Sequence, residues 1–180
     1  MDLKQLQITY QPAEDRLLLR LSGGERDEFR FWLTRRLVSV MAEPLRKHLK
    51  GQSLNPDRAE PPKPAEESAR ADAEAAFEHE RIMAGLKTEK RFDEPDERRM
   101  PLGETPLLVA KLRLTPGKSG GLLLSLYSDQ NQGLDIQLGP PLVHGFCDLL
   151  VKSSNQAGWG LSLGLVPQIG TADPASKAFH

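Results

Sequence analysis

Polar and hydrophobic residues alternate in two stretches near the N-terminus, LKQLQITYQ and RLLLRLS, and this period of two predicts β-strands. The four residues between them, 12–15 (PAED), are typical of a turn, so the two strands are expected to form a hairpin. Beyond a pair of glycines the alternation resumes in a third strand, where Phe29, Phe31 and Leu33 are expected to face the core and Glu28 to face solvent.

After the third strand the hydrophobic period changes to that of a helix. Thr34 is a predicted N-cap, so the helix is expected to begin at Arg35. Pro44 is expected to kink this helix or to end its regular part near Glu43, because proline lacks the amide hydrogen that an interior turn needs. The apolar face consists of residues at helical spacing: Leu37, Val38, Met41 and Leu45.

The same order of elements recurs in the last third of the chain. LLVAKLRLTP, GLLLSLYS and GLDIQLG predict three strands. A helix is expected from Pro140 and Pro141, since proline suits a first helical turn, and a last strand, WGLSLGLVP, is predicted after it.

Residues 17–45 align without a gap on residues 122–150 at a constant offset of 105, with eight of the 29 positions identical. The turn, the alternating strand and the start of the helix also coincide. This pattern predicts an internal duplication in which the backbones of residues 17–43 and 122–148 superpose. A pseudo-twofold arrangement, like that of an ancestral homodimer, is expected.

The segment between the repeats has a different character. Residues 56–64 contain four prolines and few apolar side chains, which indicates a linker, and EESARADAEAAFEHERIMAGLK predicts a long polar helix. This insert is expected to connect the repeats. Its thin apolar face is expected to lie loosely against the core or against another chain: Ala69, Ala73, Ala76, Phe77, Met83 and Leu86.

The predicted fold class is therefore α+β, with internally duplicated strand-strand-strand-helix units, antiparallel sheets with helices packed on one face, and an inserted polar helix. The predicted organisation has four parts: a first βββα unit at 1–50, a charged proline-rich linker with a polar helix at 51–104, a second βββα unit with a final strand at 105–167, and a flexible tail at 168–180.

Charge narrows the possible functions. The chain carries a net charge of −1, divided into +3 over residues 1–50, −5 over 51–104 and +1 over 105–180. A globally basic nucleic-acid binder is not indicated, but a local basic face in the first unit is allowed. No apolar run approaches the roughly 18 residues of a membrane span, and the N-terminus lacks a signal-peptide pattern, so a cytoplasmic protein with no membrane contact is expected.

Catalytic patterns are largely missing from the sequence. The four histidines are scattered, with no HExxH spacing; His79, in FEHE, is expected to be solvated, and His144 to be a structural imidazole beside the apolar helix face. The segment PGKSGG is followed by a strand, which favours a hairpin turn over a phosphate loop. The single cysteine, Cys147, is expected to lie in the core. The chain is thus predicted not to be an enzyme and to use no cofactor or metal.

Two arginines resist a purely structural interpretation. Arg35 and Arg36 occupy a first helical turn, where the helix dipole disfavours cations. Together with free backbone amides they could accept a phosphate or carboxylate. The competing interpretation is that they pair with Asp27, Glu28 or the acidic insert and hold the insert in place. The candidate anion or nucleic-acid site comprises Arg16, Arg20, Arg30, Trp32, Arg35 and Arg36.

Two resemblances add to these observations. YQPAEDRLLLR followed by FRFWLTRRLV resembles a family of uncharacterised bacterial proteins, over about the first 45 residues. The repeated order of strands followed by a helix is similar in topology to the Whirly and Pur families of single-stranded nucleic-acid binders. Those families carry an additional strand per repeat and a more basic, aromatic binding face.

Two functional hypotheses follow. The first is a non-catalytic binding or assembly module that acts through protein–protein contacts or self-association, based on the duplicated fold, the polar helix and the near-zero net charge. The alternative is a single-stranded nucleic-acid-binding protein that uses the basic face of the first unit.

Overall fold

The computed structural model describes residues 3–24, 26–54, 65–85 and 98–161. The first unit has the predicted hairpin, third strand and helix, and Thr34 caps the helix by accepting a 3.3 Å hydrogen bond from the Leu37 amide. Its elements are β1 (Leu3–Gln11), β2 (Arg16–Gly23), β3 (Asp27–Leu33) and α1 (Arg35–Leu49).

The inserted helix, α2 (Ala65–Gly85), precedes the second unit. The predicted strand at 107–116 is two strands, because the backbone changes partners at Val109 and Ala110. Residues 159–161 are irregular; the remainder of the predicted last strand and the tail at 168–180 lie outside the described residues. The second unit comprises β4 (Leu107–Leu108), β5 (Lys111–Pro116), β6 (Leu122–Tyr127), β7 (Gly133–Leu138) and α3 (Pro140–Gln156).

The strands form two sheets, and the α+β fold class is confirmed. The first sheet has the order β1-β2-β3-β4, with β1 to β3 antiparallel and β4 parallel to β3; the second has the antiparallel order β5-β6-β7. Leu17 lies opposite Leu33, and Leu122 lies opposite Leu138, so the pairing register is the same at the offset of 105. The internal duplication stays a prediction, because equal register alone does not require a common origin.

The helices cover the inner faces of the sheets, and α1 and α3 each contact elements of the other unit. Helix α1 contacts α3 and also β5, whereas α3 contacts β1 and β7. The Ser153 hydroxyl on α3 donates a 3.0 Å hydrogen bond to the Ile8 carbonyl on β1. The two units therefore share one core, and each fully buried Leu or Phe adds about 1.5–3 kcal/mol to it. Its largest fully buried side chains include Leu17, Leu19, Leu21, Phe31, Leu33, Met41, Leu45, Leu122, Leu124, Leu126, Ile136 and Phe146.

Helix α1 continues through Pro44, so of the two predicted effects of this proline, a kink or an end of the regular helix near Glu43, the second is wrong. Met41 and Leu45 are fully buried on either side of the proline. Arg46 also donates two hydrogen bonds, of 2.9 and 2.8 Å, to the Glu43 carboxylate. The helix is thus packed and paired on both sides of the proline, although proline removes one backbone hydrogen bond.

Helix α2 packs through a different face from the one predicted. Ala75 and His79, one helical turn apart, are buried, whereas Phe77 is 69% exposed. The expectation that His79 is solvated is therefore wrong: it is 6% exposed. A second anchor is the ion pair between the buried Lys50 ammonium at the end of α1 and Asp72.

Candidate functional site

The first sheet has an outer face, turned away from the core. Because Leu17, Leu19 and Leu21 on β2 are buried against the helices, the residues that alternate with them lie on the opposite side. Pairing between the strands brings the predicted Arg20 and Arg30 directly opposite each other. The outer face comprises Gln5, Gln7 and Thr9 of β1, Leu18, Arg20 and Ser22 of β2, Glu28, Arg30 and Trp32 of β3, and Leu108 of β4.

A carboxylate lies at the centre of the basic residues. Glu28 is only 2% exposed, although the alternation predicts solvent at this position. Its Oε1 accepts hydrogen bonds from Arg20 Nε (2.9 Å) and Arg30 Nε (2.7 Å), and its Oε2 contacts the Arg98 guanidinium. Three guanidinium groups thus surround one carboxylate. Burial and the neighbouring Arg20 charge lower the pKa of Arg98, as expected for crowded cations.

The cluster has more hydrogen-bond donors than Glu28 can satisfy. Each guanidinium carries five N–H donors, whereas a carboxylate offers about four acceptor positions. Arg20 also donates to the Gln7 side-chain oxygen at 3.2 Å. Among the described residues, Glu28 is the sole hydrogen-bond partner of the Arg30 side chain, through its Nε, and this side chain is 28% exposed. Glu28 therefore fixes the Arg30 guanidinium through Nε, and the two terminal nitrogens of Arg30 stay available to a ligand.

Trp32 lies in the next row of the same face. Its cross-strand neighbours are Leu18 on β2 and Leu108 on β4, and Leu108 is 45% exposed. Arg16, at the start of β2, lies 3.7 Å from Glu14, and the two side chains are partly solvent-exposed, so this ion pair is weak. The result is an apolar, aromatic row with arginines on both sides.

Arg35 and Arg36 follow β3 and the cap residue Thr34 directly, and both residues are exposed. Neither side chain makes an ion pair within the part of the chain that the structure describes. The two guanidinium groups are therefore displayed at the end of the strand that carries Arg30 and Trp32.

The interpretation in which Arg35 and Arg36 pair with Asp27 or Glu28 is wrong, because other arginines from the end of the insert occupy these acids. The alternative that they pair with the acidic insert stays a prediction, because residues 55–64 and 86–97 of the insert lie outside the described residues. Arg98 contacts Glu28, and Arg99 Nη2 lies 2.9 Å from Asp27 Oδ1, close enough for an ion pair but not aligned as a hydrogen bond. The Glu28 amide also donates to the Arg99 carbonyl at 2.9 Å.

Arg98 is the site residue that sequence reasoning missed. It belongs to a highly charged stretch of the sequence, and nothing local distinguishes it from its neighbours. The one available signal is the Arg98–Arg99 pair next to the start of the second unit.

A second titratable cluster joins α2 to α3. His79 Nδ1 lies 3.0 Å from His144 Nδ1, so one ring donates its proton to the lone pair of the other. Burial lowers the pKa of both imidazoles. For His144, burial together with the neighbouring His79 lowers the pKa to about 4. Nearby Cys147 is fully buried, and burial raises the pKa of its thiol to about 12, which makes it an unreactive core residue, as predicted.

The described residues contain no group of three or more His, Cys, Asp or Glu side chains arranged to hold a metal ion. None of the helices in the described ranges has the length and apolar character that a membrane span needs. Comparison of the chain with protein-family models, with curated proteins and with solved structures finds no match.

Proposed function

We propose that the protein is a non-catalytic binding module whose outer face on the first sheet binds single-stranded nucleic acid. The observation that carries this proposal is the cluster of three arginines around Glu28, with the terminal nitrogens of Arg30 available, in the row next to Trp32. Of the two sequence-based hypotheses, the geometry thus favours the alternative.

The chemistry of this face matches both parts of a single strand. Guanidinium groups form charge-assisted, often bidentate hydrogen bonds with phosphate. Unpaired bases stack on aromatic rings, and each such contact contributes about 1–3 kcal/mol without requiring a particular sequence. Trp32, flanked by the arginines, supplies the aromatic platform.

The net charge of −1 is compatible with this function because charge is unevenly distributed. The first 50 residues carry +3, and the acidic excess falls in residues 51–104. A phosphate backbone responds to the local field, which decays over about 10 Å at 0.1 M salt.

The test is titration of the full chain with a fluorescent oligothymidylate in a salt series. Trp32→Ala should weaken binding about 5- to 150-fold. The Arg35→Gln/Arg36→Gln double variant should reduce the salt slope by about 1.4, since each phosphate contact on a single strand contributes about 0.7.

Arg70→Gln/Arg81→Gln is the matched control, with the same charge change at two exposed α2 arginines that pair with Glu74 and Glu78. It should leave the salt slope unchanged. Failure of the wild-type protein to bind any single strand at low salt, or equal losses in the control and the Arg35/Arg36 variant, would overturn the proposal.

Exposed hydrophobic side chains favour protein contacts as a second candidate function. Phe77 on α2 is 69% exposed and Val40 on α1 is 61% exposed. If α2 mediates self-association, the molecular mass measured by light scattering should rise with concentration, and Phe77→Ser should abolish that rise. A mass of one chain, 20.0 kDa, at every concentration would exclude self-association.

A further inference from the structure

We infer that the nucleic-acid path continues from the first sheet onto the outer face of the second, where Tyr127, Lys111 and Arg113 form a second contact site. This inference rests on the proposed function and extends it to a second surface. It starts from the segment at which the chain passes from one sheet to the other.

Two consecutive backbone amides connect the aromatic residues. The Val109 amide donates a 3.1 Å hydrogen bond to the Trp32 carbonyl, and the Ala110 amide donates a 2.9 Å hydrogen bond to the Tyr127 carbonyl. Trp32 and Tyr127 therefore flank one segment of the chain, and their backbones lie about two strand spacings, or 10 Å, apart. Leu108 before the junction and Lys111 after it are both exposed, so the exposed surface is continuous along this segment.

Tyr127 lies on the outer face for the same reason as Trp32. Leu122, Leu124 and Leu126 of β6 are fully buried, and the residues that alternate with them, including Ser125 and Tyr127, face the other side. Together with residues of β5 and β7 they line an open groove of about 540 Å³. Its lining comprises Lys111, Leu112, Arg113, Ser125, Tyr127, Asn131 and Asp135.

The groove supplies phosphate contacts and a stacking surface. Lys111 and Arg113 provide two positive charges, and Arg113 has no ion-pair partner among the residues that the structure describes. Burial and the neighbouring Asp135 raise the pKa of the Tyr127 hydroxyl, so the ring stays neutral beside a phosphate. Arg113 and Asp135 both lie opposite Ser125, on its two sides. The phosphate contacts of Lys111 and Arg113 therefore lie on the β5 side of the groove, on the opposite side of Ser125 from the Asp135 carboxylate.

A strand that contacts both surfaces gains affinity because the second contact becomes intramolecular. Binding should therefore strengthen with oligonucleotide length until both aromatic platforms are covered. An oligonucleotide too short to span both aromatic platforms should need only one of them for binding.

The experiment is a double-mutant cycle on the full chain with short and long oligothymidylates. On the long strand, Tyr127→Ala and Trp32→Ala should each weaken binding about 5- to 150-fold. On a strand that covers one platform, the double variant should lose more affinity than either single variant, because each platform substitutes for the other. Tyr127→Phe, which keeps the ring, should bind the long strand as the wild type does.

The charges are tested with Lys111→Gln/Arg113→Gln, which should reduce the salt slope on the long strand by about 1.4. The matched control is Arg46→Gln/Lys152→Gln, with the same charge change at helix residues that pair with Glu43 and Asp148. The slope of this control should not change.

The outcomes separate the two claims. If Trp32→Ala weakens binding but Tyr127→Ala and Lys111→Gln/Arg113→Gln do not, the path ends on the first sheet, and the inference fails while the proposed function stands. If the wild-type protein binds neither strand at low salt, both fail.

Discussion

The two sheets differ on their outer faces far more than on their inner ones. At the offset of 105, Leu17, Leu19 and Leu21 correspond to residues that are leucine and fully buried as well. On the outer faces, Arg20 corresponds to Ser125 and Arg30 to Asp135. The inner faces share one core and its packing limits, whereas the outer faces are free to carry different chemistry.

The difference is greatest at the position of Glu28. In the first sheet this buried carboxylate holds three guanidinium groups in place. The corresponding residue in the second sheet is Gly133, where a Cβ atom would collide with the Leu126 carbonyl oxygen, and the neighbouring surface is an open groove. The outer face of the first sheet thus centres on arginines fixed by a carboxylate, whereas that of the second sheet has a groove with Lys111 and Arg113 along one side.

The largest effect is expected from Glu28→Ala. Removal of the carboxylate leaves the Arg20, Arg30 and Arg98 charges crowded together without the acid that they share, which should lower the free energy of unfolding by about 3–5 kcal/mol. Urea denaturation monitored by tryptophan fluorescence measures it.

The control for this variant is Glu43→Ala, which removes an exposed carboxylate that also pairs with an arginine, Arg46. Its cost should be about 1 kcal/mol or less. Equal losses in the two variants would contradict the view that Glu28 organises the first face.

A smaller effect is expected from Gly133→Ala in the second sheet. The added methyl group meets backbone atoms of Leu126 and Tyr127, which cannot move without disturbing the β6–β7 pairing. The loss of stability should be about 1–3 kcal/mol. Thermal unfolding measures it, and Gly85→Ala, where an added Cβ would meet no described residue within 4 Å apart from the neighbouring turns of its own helix, serves as the control. An unchanged Gly133→Ala melting temperature would show that the groove does not depend on this glycine.

The sequence was informative wherever local spacing determines structure. Alternation predicted the buried side chains of β2, and Thr34 marked the start of α1, because both features depend on neighbours only a few residues away. The division of the predicted strand at Val109 was missed, since it depends on which strand each backbone amide meets.

The candidate site was predictable only in part. Arg20, Arg30 and Trp32 share a face because the strand period requires it. The burial of Glu28 depends on Arg98, 70 positions away in the chain, and that of His79 on packing between α2 and α3; neither contact leaves a local pattern.

The last expected effect concerns the helices behind the two sheets. At the same offset His144 on α3 corresponds to Ser39 on α1, which is exposed, whereas His144 is covered by α2. In the neutral His79–His144 pair one Nδ1–H donates to the other Nδ1, and a first proton can be added elsewhere without breaking this bond. When both rings are charged, two donors face each other and a hydrogen bond worth about 1 kcal/mol is lost.

Acid should therefore weaken the α2–α3 contact. Because burial depresses the folded-state pKa of both histidines, the unfolded chain binds protons first as pH falls. The stabilisation is complete above the unfolded pKa of about 6.5. It is lost as pH falls through the folded value of about 4 for His144. The charged groups that influence the pair are His48 on α1, Glu78 on α2, and Asp148 and Lys152 on α3.

The measurement is the free energy of unfolding between pH 7 and pH 4 for the wild type and for His144→Asn. Carboxylates titrate in both proteins, so the difference between the two curves isolates the pair. The wild-type curve should fall more steeply with acid, and the difference should narrow as the pH decreases. Parallel curves would mean that the His79–His144 pair does not make the free energy of unfolding sensitive to acid. Helix α2 would then be held by its other contacts, such as the Lys50–Asp72 ion pair.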